Sequence, residues 1–154
     1  MKFRRVVVFA CGDPLRGDDS VAPLAVKGMA AEVIEGVDVR LVGALEAEYI
    51  IDLPPGARVV IVDAVVGPPP GEIVEMDLAE MSGRATQVVT TSTHQLPLNK
   101  VVALAQLLRD EPVTGRFVGI GIETVSQGAA LSHPVEDALP ALRKAVARAV
   151  ETLR

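Results

Sequence analysis
The chain has 154 residues, of which 49% are hydrophobic, and carries 20 acidic against 15 basic residues for a formal net charge of −5. This is the length of one domain with ample apolar material for a core, so a disordered chain is excluded, and the acidic balance without a basic run argues against nucleic acid as a partner. A single cysteine, Cys11, excludes an internal disulfide and any multi-cysteine zinc or iron–sulfur centre, and no stretch approaches the ~20 apolar residues of a membrane span.

The opening "MKFRRVVVFACGDP" sets basic residues before an apolar run, as a secretion signal does. The run is short and breaks into Gly-Asp-Pro, so it reads as a first buried strand over residues 4–11, and the expected location is the cytoplasm. After the loop "GDPLRG", apolar residues recur at helical spacing from Asp19 or Ser20 to about Val33, with Pro23 tolerated in the first turn. "VDVRLV" (37–42) alternates as a strand near an edge does. "ALEAEYIIDL" (44–53) reads as a short helix stopped by Pro54 and Pro55.

"ARVVIVDAVV" (57–66) is the strongest strand and ends close to Asp63. "GPPPG" is a rigid turn, and "EIVEMDL" (72–78) alternates as a hairpin or edge strand. Residues 79–97 read as partly irregular, 98–108 as an amphipathic helix and 115–123 as the last buried strand. Ser132 reads as the cap of a C-terminal helix from Val135 to Leu153, kinked at Pro140. Strands alternating with helices predict a single α/β domain over 1–154: a three-layer α/β/α sandwich with a mostly parallel open sheet and one edge hairpin or antiparallel strand.

Ligands of such sheets bind beyond the C-terminal strand ends. That rule gathers Asp18 and Asp19 after the first strand, Asp63 at the end of the strongest one, and His94 from the polar loop "TSTHQLPLN". Asp19, Asp63 and His94 converging on one crevice make a mixed oxygen and nitrogen donor set for a divalent metal such as nickel, zinc, iron or manganese. Each also has an ordinary use: the aspartates as helix caps or solvated strand ends, the histidine as a loop residue. His133 and Cys11 are read as structural. The Ser/Thr run at 90–93 lacks a G-x-S-x-G elbow, there is no HExxH, and "CGDPLRG" is not a dinucleotide fingerprint.

Four pieces of sequence, in order, resemble the NiFe-hydrogenase maturation endopeptidases: "GDPLRGDDS" at 12–20, "VVIVDAV" with Asp63, "HQLPL" with His94, and the tail "VGIGIETVSQGAALSHPVEDALPAL". The resemblance covers nearly the whole chain. It implies an endopeptidase that removes a C-terminal peptide from the nickel-loaded precursor of the hydrogenase large subunit. Asp19, Asp63 and His94 would contact nickel carried by that substrate and not tightly held by the resting enzyme. Asp19 or Asp18 would position the attacking water, unless the metal polarises the scissile carbonyl. Gly12, Asp13 and Gly17 would belong to the substrate-binding loop.

The chain departs from the family pattern at Asp13 (for Asn), Ser20 (for Gly) and Pro97 (for Gly). Ser20 should therefore hold a negative φ or bear strain. Two other readings stand beside the first: a non-catalytic chaperone or binding module that inspects the metal centre, and a small α/β enzyme acting on a nucleotide or sugar.

Overall fold
β-Branched runs at three places in the chain become the middle of one sheet. The computed structural model describes residues 5–82, 96–123, 128 and 130–154. Strands β1 (Val6–Cys11), β2 (Asp38–Val42), β3 (Arg58–Val65), β4 (Ile73–Asp77) and β5 (Thr114–Gly121) pair in the order β2-β1-β3-β5-β4. Of the four pairings three are parallel, and in the fourth β4 runs antiparallel to β5 as the edge strand expected over 72–78. Every residue of β1 is buried, and so is β3 from Val59 to Val65. Side chains of a central parallel strand meet helices on both faces, which is why these strands carry almost no polar residue.

The helices are α1 (Val21–Lys27), α2 (Ala31–Ile34), α3 (Ala47–Ile51), α4 (Leu78–Ser82), α5 (Leu98–Leu108) and α6 (His133–Leu153), with a 3-10 turn at Gly17–Ser20 before α1. Val8, Ala10, Val60, Val62, Val118 and Ile120 point to one face and pack with Val21 and Val26 of α1 and Leu142 and Val146 of α6. Phe9, Ile61 and Phe117 point to the other and pack with Ile50 of α3, Leu78 and Met81 of α4 and Val101 and Val102 of α5. The period of two along each strand thus divides the apolar residues between two cores.

Three local features differ from the expected ones. The helix expected from Asp19 to about Val33 is broken into α1 and α2. Gly28 closes α1, and Arg143 of α6 donates to the carbonyls of Ala25 and Leu24 at 3.1 and 3.4 Å, taking up acceptors that a continuing helix would have used. Residues 78–82 form α4 where irregular chain was expected; the remainder of that stretch, 83–95, lies outside the described residues. The last helix begins at His133, two residues before the expected start, with Ser132 at the N-cap position and Pro140 inside the helix. Among the described residues no helix is long and apolar enough to cross a membrane.

Candidate active site
Between β1 and β3 the order of the sheet reverses direction: the chain leaves β1 toward β2 on one side and returns to β3 on the other. Loops at the C-terminal ends of two such strands are the usual ligand position of an open α/β sheet. Asp18 and Asp19 lie in the turn that follows β1, and Asp63 lies near the C-terminal end of β3.

Asp63 is the sixth residue of β3 and is 1% exposed. Its side chain falls on the α3/α5 face, like those of Val59 and Ile61, with the Ala64 N–H donating to its Oδ1 at 2.8 Å. The register Ala10↔Val62, carried one step further, sets Cys11 beside Asp63. Burial pushes the Asp63 carboxyl well above the usual carboxylate range; the Ala64 hydrogen bond acts against this, and the charge of Asp19 adds to it. The Cys11 thiol is raised likewise, first by burial and then by the charges of Asp63 and Asp19.

The loop after β1 holds Asp19 by tight backbone geometry. Gly12 sits at φ +128° and Gly17 at φ +51°, in backbone regions that side chains rarely adopt. A Cβ on Gly12 would run into the Asp19 carbonyl oxygen. The Asp13 N–H donates to Asp19 Oδ2 at 2.9 Å, and the Leu15 N–H donates to Asp13 Oδ1 at 2.9 Å. Asp13 thus closes an Asx turn that a shorter-range Asn would also close, and the extra charge stays at the partly exposed loop. Ser20 has φ −81°, so the residue that replaces glycine there is unstrained; its hydroxyl donates to the Gly17 carbonyl at 2.6 Å.

Asp18 points elsewhere. It is fully buried, and it accepts from the Ser132 N–H at 2.7 Å, the Ser132 hydroxyl at 2.8 Å and the Glu123 N–H at 2.8 Å. It therefore joins the loop after β1 to the exit of β5 and to the cap of α6. These partners stand 105 and 114 residues away in the chain, so no local pattern announced them.

Beside Asp19 opens a pocket of about 410 Å³. Its wall is the β1 loop (Gly12, Asp13, Pro14, Arg16) on one side and the end of β2 (Leu41 to Ala44) on the other. Gly12, Asp13 and Asp19 of the expected set line it; Asp63 and Gly17 do not. His94 lies outside the described residues, and among those described no three His, Cys, Asp or Glu side chains group as a metal site. Arg16 and the β2 end were missed from sequence, because only the sheet order brings residues 41–44 against residues 12–16.

A doubly wound parallel sheet with buried acids at its reversal point defines a small α/β domain with an acidic crevice. The model of the hydrogenase maturation protease family, HycI, matches residues 26–149, and the chain belongs to that family. It is accordingly a peptidase of hydrogenase maturation. The match begins after the loop that carries Asp18 and Asp19 and takes in Asp63 and His94.

Solved structures agree in fold. The NiFe hydrogenase maturation protease HybD from Thermococcus kodakarensis is 23% identical with a TM-score of 0.72, covering 94% of this chain and 97% of its own. HybD from E. coli is 21% identical with a TM-score of 0.72, covering 96% and 93%. HycI from Thermococcus kodakarensis is 23% identical with a TM-score of 0.67, covering 96% and 93%. A comparison with curated protein sequences gave no match.

Proposed function
We propose that the protein removes a C-terminal peptide from the nickel-loaded large-subunit precursor of a NiFe hydrogenase and reads the nickel as its signal to cut. The observation that carries this is the family match together with the placement of Asp19 on the pocket wall after β1 and of the buried Asp63 on the neighbouring strand β3. Two buried carboxylates in this relation repel each other when ionised, and an arriving cation relieves that repulsion.

In this reading nickel is part of the substrate. It enters with the precursor, meets Asp19 and Asp63 together with His94, and leaves with the product, so the resting enzyme holds no ion tightly. Asp19 stands on the pocket wall and is the group in place to orient a water toward the peptide bond. Asp18, with both oxygens accepting hydrogen bonds from the far end of the chain, keeps the loop in position. The partners expected are that precursor and neither nucleic acid nor membrane, and the cytoplasm, where the precursor would be met, is the expected location.

The test mixes the protein with precursor prepared with and without nickel and follows the shortened product on a gel. Cleavage of the nickel-loaded form alone is expected. Equal cleavage of both forms would remove nickel from the recognition step, and a stable complex that stays uncut would favour the chaperone reading.

A further inference from the structure
We infer that the outer edge of β2 is the docking strand for an extended segment of the precursor, leading that segment into the pocket walled by Asp19. The inference rests on the reading of the protein as an endopeptidase for such a precursor. β2 is outermost in the sheet, and among the described residues no strand pairs with its far side. The Gly12 N–H donates to the Val42 carbonyl at 3.1 Å. In a parallel ladder this turns the main-chain groups of Asp38, Arg40 and Val42 toward β1 and those of Val39 and Leu41 outward. No residue of β2 is buried, whereas all of β1 is, and Leu41 is 49% exposed.

An outermost strand with outward N–H and C=O groups is a template for another chain. Extended peptides bind such edges by adding a strand, with main-chain hydrogen bonds supplying affinity. What selects this edge over β4 is where it leads. Leu41, Val42, Gly43 and Ala44 line the Asp19 pocket, and no residue of β4 does. A side chain built on Gly43 would meet nothing within 4 Å, so the approach past the end of β2 is open. A segment paired with Val39 and Leu41 therefore passes Gly43 and arrives at Asp13 and Asp19. A peptide bond held in this way is presented in one extended conformation to the group that orients the water, which a free surface patch would not achieve.

The test compares Leu41→Pro with Leu41→Ala on nickel-loaded precursor. Proline is tolerated on an edge strand where the N–H faces away from the sheet, and here it deletes the outward donor while leaving the β1 ladder intact. Leu41→Ala, which loses the pocket-lining side chain but keeps the N–H, is the reference, and Leu41→Pro is expected to cut about tenfold less well than it, chiefly through KM. Thermal unfolding checks that both variants fold. Should Leu41→Pro not fold, amide exchange of the parent protein under saturating precursor decides instead: slowed exchange at Val39 and Leu41 is expected, and unchanged exchange there overturns the inference. Leu41→Pro cutting as well as Leu41→Ala also overturns it, with nickel-tagged cleavage by the parent left standing. Protection of Val39 and Leu41 by a precursor that the parent leaves uncut supports the docking strand and overturns the cleavage reading.

Discussion
Asp18 and Asp19 are neighbours in sequence with opposite tasks. The carboxylate of Asp18 is turned into the protein toward Ser132 and Glu123, and Asp19 faces the pocket. Removing Asp18 leaves three donors without their acceptor, so Asp18→Ala should cost about 3 kcal/mol and Ser132→Ala about 1 kcal/mol in urea unfolding. The double variant should lose less than the sum, because the two side chains share a hydrogen bond. Asp63 behaves in the reverse sense. Its folded carboxyl binds its proton more tightly than an unfolded one, so its own contribution to stability is fully present below the ordinary carboxylate range and is lost as the pH rises through its raised folded value. Asp63→Asn should therefore flatten the decline of Tm between acid and neutral pH and raise Tm at neutral pH while abolishing cleavage. A variant with the parent's pH profile would show that Asp63 is not the strained acid described above.

At the scale of elements, the strands were legible and the breaks between helices were not. β1, β3 and β5 announce themselves because burial on two faces demands apolar runs, and β4 because its alternation reports one covered face. The break after α1 was only half visible: Gly28 is a stop signal in the sequence, but Val33 continues the apolar spacing, and Arg143, which meets the same last carbonyls, comes from α6 more than a hundred residues later. Ser20 was legible by contrast: a non-glycine residue there was expected to hold a negative φ, and it does, in the 3-10 turn in front of α1. α6 poses its own question, because it accommodates Pro140 without a break. Proline lacks the N–H that position would donate and crowds the carbonyl four residues back. Pro140 is exposed, so Pro140→Ala should stabilise the protein by up to about 3 kcal/mol with no loss of cleavage, as read by denaturant midpoint and a gel assay.

For the whole molecule, the sheet order makes the site. Asp19 and Asp63 are separated by α1, α2, β2 and α3, yet both lie at the C-terminal side of neighbouring strands because β1 pairs with β3. The rule that ligands bind at strand C-termini was enough to nominate both from sequence, whereas the β2 wall of the pocket needed the order of the strands itself. The same arrangement separates the roles of the negative charge after β1: Asp18 braces the fold through Ser132 and Glu123, and under the proposed function Asp19 and Asp63 would receive the substrate's cation. The most direct measurement is the single-turnover rate at which parent and Asp19→Ala proteins shorten nickel-loaded precursor. A fall of about a thousandfold is predicted, the usual scale for loss of a positioned acid–base group, in a variant that thermal unfolding shows to be folded at the assay temperature. An Asp19→Ala protein that cuts at the parent rate would contradict the assignment of the crevice as the active site.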